Sequence, residues 1–187
     1  MRSHRLLPVL AGVSLAVAAA ACASGAAPPR TEPDRTVLTT DQVIRTTVSP
    51  AARVAVAAPP AQVFSALAET YLELGVDTKL IDTGNRRIGN IDFFKSRQLG
   101  GQRLSQYVSC GETSTGSSIA DEYRIYMSLV STVHAAGDSA SEMETSFTAH
   151  ARDQRGVSSD RIACGSTGRL EDRIRRTVAL KLGVSTK

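Results

Sequence analysis

Two stretches of alternating apolar and polar residues constrain the fold of this chain most. The first covers residues 123–129 and the second residues 142–150, with Ala136-Gly137-Asp138 between them. Alternation with a period of two predicts strands that place one face on a core and the other in solvent. The intervening glycine turn predicts that the two strands pair antiparallel.

An amphipathic helix is predicted before these strands. Pro59-Pro60 opens it and Gly75 ends it, which are positions that proline and glycine favour at helix ends. Apolar residues recur between them at spacings of three and four, namely at Val63, Phe64, Leu67, Tyr71 and Leu74. This stripe predicts a helix with one buried face.

Shorter elements are predicted around this helix. The candidate strands are 36–48, 53–57, 76–82, 87–94 and 104–108. Strands 76–82 and 87–94 form a hairpin around the turn Thr83-Gly84-Asn85. Residues 111–118 are rich in glycine, serine and threonine and predict an exposed loop, and a second loop is predicted at 153–160.

The C-terminal segment predicts a second helix, because apolar residues stand at every fourth position: Leu170, Ile174, Val178 and Leu182. Ser166 or Thr167 would cap its N-terminus, and the alternative is that backbone N–H groups at residues 165–168 hold an anion. The order of strand, helix, several antiparallel strands and helix predicts an α+β fold, an antiparallel sheet with helices packed on one face.

The N-terminus has the pattern of a secretory signal. Arg2 and Arg5 precede an apolar run, and small residues follow it up to Cys22. The alternative is an uncleaved membrane helix at residues 6–21, but this run contains Pro8 and Gly12 and is shorter than the roughly 20 apolar residues of a membrane span.

Residues 15–22 resemble the lipobox of bacterial lipoproteins, although Ala19 stands where that family most often has leucine. The resemblance implies that Cys22 is lipidated and becomes the mature N-terminus. Ala23 and Ser24 follow it in place of the aspartate that retains many lipoproteins at the inner membrane. The implied location is therefore the outer membrane, with the protein facing the periplasm and anchored by acyl chains worth about 0.8 kcal/mol per buried methylene.

Three regions follow from these patterns: a signal peptide at 1–21, lipidated Cys22 with a flexible tether to residue 35, and one α+β domain at 36–187. Residues 23–35 contain small residues and prolines with no apolar period, so they cannot contribute to a core. The chain has 187 residues and a formal charge of +4, which falls by two to +2 when Arg2 and Arg5 are removed. Acids interleave with the remaining arginines, which indicates a solvated surface or, alternatively, a polyanion-binding one.

Cys110 and Cys164 remain once Cys22 is assigned to lipid. Two cysteines in an exported domain predict a disulfide. A metal site and a reactive thiol are the alternatives, but neither cysteine has a CxxC motif or a histidine at ligand spacing. No cofactor or metal is expected.

No catalytic motif accompanies the two histidines of the mature chain, His134 and His150, so no catalytic residue is predicted. His150 falls on the solvent side of its strand, and His134 is in phase with the core only if its strand bulges.

Gly111 and Gly116 have the glycine spacing of a phosphate-binding loop, but Ser117 stands where the lysine should be. With no tryptophan, four tyrosines and four phenylalanines, the chain also lacks the signal of a base-stacking platform, so no nucleic-acid partner is expected.

Residues 63–92 are similar to the repeated domain of the BamC (NlpB/DapX) lipoproteins of the outer-membrane β-barrel assembly machinery. The shared pattern is an amphipathic helix, Glu73-Leu74-Gly75-Val76, a strand, a glycine turn and a strand that opens with Ile88-Gly89-Asn90. The resemblance implies a helix-grip domain behind a lipid-anchored segment, but this chain has one domain instead of two and a cysteine pair. The expected function is a non-enzymatic module that binds an envelope protein or assists an assembly. The alternative is a carrier of a small apolar or lipid ligand held between the sheet and the C-terminal helix, and an exported hydrolase ranks third.

Overall fold

The computed structural model describes residues 53–153 and 161–184. The strands are β1 (Arg53–Val56), β2 (Leu80–Asp82), β3 (Arg87–Ser96), β4 (Gln98–Leu99), β5 (Gln102–Arg103), β6 (Val108–Ser109), β7 (Arg124–Ala135), β8 (Ser141–Arg152) and β9 (Ile162–Ser166). The helices are α1 (Pro60–Glu73), α2 (Ile119–Glu122) and α3 (Arg169–Leu182), and a 3₁₀ helix covers Leu104–Gln106. The predictions for the signal peptide, Cys22, the tether and the strand at 36–48 lie outside the described residues, as does all but the first residue of the loop predicted at 153–160.

The sheet is antiparallel throughout and has the order β2-β3-β7-β8-β9-β6. Its centre is the predicted pair β7 and β8, which are in continuous register from Arg124 opposite Arg152 to Ala135 opposite Ser141. Two strands share the other edge of β8: β1 pairs with its first residues and β9 with its last.

Helices α1 and α3 pack side by side on one face of this sheet, α1 against β3 and β7 and α3 against β8. Leu67 of α1 and Ile174 of α3 are fully buried, as are Ile125 and Leu129 of β7 that face them. The predicted α+β fold with helices on one face is therefore confirmed. None of the described helices combines the length and apolarity that crossing a membrane requires.

A chain of buried hydroxyl groups joins α1 to the sheet. The Tyr71 hydroxyl lies 3.0 Å from Ser131 Oγ, which in turn lies 2.8 Å from Thr145 Oγ1. Burial of the Tyr71 ring raises the pKa of its hydroxyl, and the hydrogen bond to Ser131 offsets only part of this shift. Because buried hydroxyl groups need partners, the three side chains specify how α1 sits over β7 and β8.

Strand β3 bulges between Asn90 and Phe93. Buried Asn90 holds the bulge, because its Nδ2 donates to the Asp77 carbonyl at 2.6 Å and its Oδ1 accepts the Asp92 N–H at 3.0 Å. Just before it, a Cβ on Gly89 would lie 2.1 Å from the Leu129 carbonyl oxygen, so only glycine fits this approach of β3 to β7. The strand predicted at 76–82 begins only at Leu80, as β2. Residues 76–79 before it contact β3 through the hydrogen bond from Asn90 to the Asp77 carbonyl.

The Cys110–Cys164 disulfide is present, with the two Cα atoms 4.2 Å apart. The sequence predicts that Cys110 follows a strand in the middle of the sheet and that Cys164 precedes the C-terminal helix; the second prediction is confirmed and the first is wrong. Cys164 lies inside β9, opposite Ala149, and β6 is an edge strand whose Ser109 pairs with Gly165. The bond therefore joins two neighbouring strands at the sheet edge. The sequence does not predict strand β9, because its five residues include glycine and serine and show no alternation of apolar and polar residues.

The predicted strand at 104–108 is also wrong over most of its length, because the 3₁₀ helix occupies its first three residues. The N–H and hydroxyl of Ser105 donate to the Asp121 carboxylate at 3.0 and 2.7 Å. These side-chain bonds compete with a strand ladder. Fully buried Leu104 anchors the turn.

The N-cap position of α3 lies after the predicted Ser166 or Thr167, although Thr167 Oγ1 accepts the N–H of Arg169, the first helical residue, at 3.4 Å. Gly168 is the N-cap, with φ at 78°, and the N-cap residue itself makes no side-chain bond to the helix. Ser166 Oγ accepts the Gly168 N–H at 3.0 Å, and it donates to Glu171 Oε1 at 2.7 Å. The Glu171 carboxylate thus already lies in the first turn of α3, which disfavours the alternative of an anion held at this helix end.

Candidate functional site

The face of the sheet opposite α1 and α3 is the open face, since the described helices lie on the other side. The even-numbered residues of β7 and β8 point to it, and all of them are partly or fully exposed. Thr148 lies on this face, as predicted. The odd-numbered residues point to the core as far as Val133 in β7 and throughout β8. The same alternation in β7 and β8 therefore determines which of their side chains lie in the core and which lie on the open face.

Three rings form a row across neighbouring strands of this face. Phe94 lies opposite Tyr126, and Tyr126 lies opposite His150. The Phe94 and Tyr126 ring centroids are 5.7 Å apart at an interplanar angle of 46°. The Tyr126 and His150 rings stack at 5.2 Å and 11°. Phe94 is 52% exposed, so this aromatic row presents ring surface to solvent at the β3 edge.

Arginines form a second row beside the rings. Arg124 lies directly opposite Arg152 on β7 and β8. Arg161 precedes Ile162, which pairs with the residue before Arg152. We call these three residues the arginine row. The guanidinium of Arg124 lies 4.6 Å from the centre of the Phe94 ring, and that of Arg152 lies 5.2 Å from the centre of the Tyr126 ring.

The Arg124 and Arg152 guanidinium groups each lie over a ring of the neighbouring strand. Cation–π attraction of about 0.5–1 kcal/mol at exposed sites stabilises each contact. In this position the Nε atoms of Arg124 and Arg152 are buried without a hydrogen-bond partner. The strand register also places their like charges opposite each other, at a Cβ separation of about 5 Å, an arrangement that destabilises a sheet. Repulsion between the Arg124 and Arg152 charges therefore opposes folding of this part of the sheet.

The positive charge of this region acts on His150. Burial lowers the pKa of its imidazole below the ordinary value, and the charges of Arg161 and Arg152 lower it further, whereas Asp92 raises it. The lowered pKa favours the neutral form of the ring that stacks on Tyr126.

We predict that His150 makes stability depend on pH. Because its pKa is lower in the folded state than in the unfolded chain, the unfolded chain binds the proton first as pH falls below about 6.5. The free energy of unfolding should decrease there until the folded-state pKa is passed. His150→Asn should remove this part of the pH dependence, measured by urea unfolding of both proteins at several pH values between about 7.5 and 5. Identical pH profiles for the two proteins would contradict the prediction.

The opposite end of the open face is an ion-pair cluster. Arg53 Nε lies 3.0 Å from Glu144 Oε2, and His134 Nε2 lies 3.3 Å from the same oxygen. The hydrogen bond from Arg53, followed by that from His134, lowers the pKa of the Glu144 carboxyl. His134 reaches this face without a bulge, since β7 and β8 stay in register through Ala135. Without a bulge, His134 is out of phase with the core residues Leu129 and Val133.

The remaining candidates from the sequence lie apart from these rows. The loop at 111–118 is closed by a bridge between Glu112 and Ser118 and leads into α2, which has only four residues. Cys110 and Cys164 form a disulfide, so neither presents a free thiol. Among residues 53–153 and 161–184, no three histidine, cysteine, aspartate or glutamate side chains group as metal ligands.

Sequence reasoning missed both rows, although their signal is in the pattern. Arg124 and Tyr126 occupy the polar phase of one alternating stretch, and His150 and Arg152 occupy that of the next. The low total of four tyrosines and four phenylalanines does not by itself predict a row of rings. Sheet register brings two of these eight residues, Phe94 and Tyr126, into one line with His150. No protein-family model matches the chain, and neither a curated protein nor a solved structure matches it.

Proposed function

We propose that this protein is a lipid-anchored, periplasm-facing component of the cell envelope, and that its domain is a non-enzymatic module that binds another envelope protein through the open face. The observation that carries the proposal is the aromatic row with the exposed edge of β3 beside it. Ile91 and Phe94 of this edge are 67% and 52% exposed. Exposed aromatic rings with neighbouring arginines are the residue types enriched at protein interfaces.

The structure favours this proposal over a carrier of an apolar ligand. A carrier would hold its ligand between the sheet and α3. Leu170, Ile174 and Val178 of α3 are fully buried there, and Ile125 and Leu129 are buried beneath the helix layer. Side chains of the core thus occupy the layer that such a ligand would need.

The proposed anchor predicts the behaviour of one variant. Cys22→Ala should abolish acylation and release the domain from membranes, because two or more acyl chains supply the stable attachment. The measurement is fractionation of cell membranes in high salt, with the wild-type protein beside the variant. Recovery of the variant in the salt-washed membrane fraction would show that the lipid-anchor proposal is wrong.

The interaction surface can be tested by photo-crosslinking in cells. A photoreactive amino acid is placed at exposed Thr148 on the open face and, as a matched control, at Leu180, which is 81% exposed on α3. We expect Thr148, and not Leu180, to form a discrete adduct whose partner mass spectrometry identifies as an envelope protein. Adducts from Leu180 alone, or from neither position, would overturn the assignment of the open face.

A further inference from the structure

The arginine row concentrates positive charge on the open face, and its ring contacts do not neutralise that charge. Arg124 and Arg152 stand opposite each other in register, and Arg161 adds a third positive charge beside His150. The buried Nε groups of Arg124 and Arg152 have no hydrogen-bond partner. Like charges opposed on neighbouring strands repel, and an anion seated among them would convert this repulsion into attraction. Guanidinium groups bind carboxylates in this way, as planar forks with paired donors.

We propose that the arginine row binds the carboxylate side chains of an extended acidic segment of a partner protein, while Phe94 and Tyr126 contact apolar side chains that flank the carboxylates on the same face of that segment. This assignment rests on the proposed function and names the chemistry of the partner. Neighbouring strands are about 4.8 Å apart, so the row spans about 10 Å. Alternate side chains of an extended peptide are about 7 Å apart. A Glu-x-Glu sequence therefore fits the row.

The charge pattern of the open face favours such a segment over an anionic membrane surface. Glu142 and Glu144 lie at the opposite end of the face, where their side chains are 44% and 33% exposed. A uniformly negative surface would meet these carboxylates together with the arginines. A short acidic segment meets the three arginines and, near His150, the single carboxylate of Asp92, and complementarity of this kind determines register and partner choice.

The test is fluorescence anisotropy with the full-length chain in mild detergent. The probe is a labelled peptide containing Glu-Ser-Glu-Ser-Phe, whose two glutamates and phenylalanine share one face when the peptide is extended, and the control peptide has lysine in place of glutamate. We expect the acidic peptide to bind and to weaken as salt is raised. Arg124→Gln and Arg152→Gln should each weaken binding about tenfold or more. Arg87→Gln, which removes the same charge from an exposed residue of β3, should leave binding unchanged.

Circular dichroism and thermal melts establish that each variant is folded. If Arg124→Gln or Arg152→Gln fails to fold, Arg161→Gln replaces it, because exposed Arg161 lies outside the strands. Equal binding of both peptides, or an equal loss in Arg87→Gln, would overturn the proposal. So would arginine-dependent binding to phosphatidylglycerol vesicles by a protein that ignores the peptide. A crosslink from Thr148 to an envelope protein, combined with failure of the acidic peptide, would retain the interaction surface and reject only the arginine assignment.

Discussion

Reduction of the Cys110–Cys164 disulfide should lower the free energy of unfolding by about 4 kcal/mol. The bond closes a loop with a sequence separation of 54 residues, and in the chain-entropy model a loop of this length restricts the unfolded chain by about that amount. This is a large part of the 5–15 kcal/mol that typically stabilises a domain. The measurement is the melting temperature and the urea midpoint of the wild-type protein with and without reductant.

The control is the Cys110→Ala/Cys164→Ala double variant, which should melt at a lower temperature than the oxidised wild type. Reductant should leave its melting temperature unchanged. Because the bond joins β6 to β9, its loss should first loosen this edge of the sheet, which hydrogen exchange can report strand by strand. A wild-type protein that melts at the same temperature in both redox states would contradict the prediction.

Leu67→Ala and Ile174→Ala should each cost about 2–5 kcal/mol, because truncation removes apolar contacts and leaves a cavity. Both side chains are fully buried in the layer between the helices and the sheet. Urea unfolding of the two variants gives the change directly. Their effects test the two helices separately, since Leu67 belongs to α1 and Ile174 to α3.

Thr148→Ala is the matched control for these core variants. Thr148 is exposed on the open face of β8, so its truncation should change stability by no more than about 0.5 kcal/mol. If all three variants lose similar stability, Thr148 cannot lie in solvent and the register of β8 is wrong.

Sequence patterns predicted the local elements whose side chains repeat with a clear period. The stripe from Val63 to Leu74 became α1, and the stripe from Leu170 to Leu182 became α3. The stretches around Met127 and Phe147 became the central strands. Burial of one face follows from such a period by itself, so the α+β class could be read before any tertiary contact was known.

Elements without a period depended on their neighbours. Strand β9 exists because it pairs with β8 and β6, and its sequence Ile-Ala-Cys-Gly-Ser shows no pattern of its own. The 3₁₀ helix at 104–106 replaces a predicted strand because Ser105 bonds to Asp121, 16 residues away in sequence. Propensity over a few residues cannot anticipate partners that distant in the chain.

The sequence by itself determined the pairing of Cys110 with Cys164, the two amphipathic helices, the central hairpin and the placement of His150 in solvent phase. Its N-terminal pattern and its resemblance to BamC remain predictions. Only the tertiary structure decided that Phe94, Tyr126 and His150 form one row, and that Arg124 stands opposite Arg152. The physical reason is strand register. The alternation of apolar and polar residues determines which face of the sheet a side chain occupies, but only the pairing of strands determines which side chain of the next strand lies beside it.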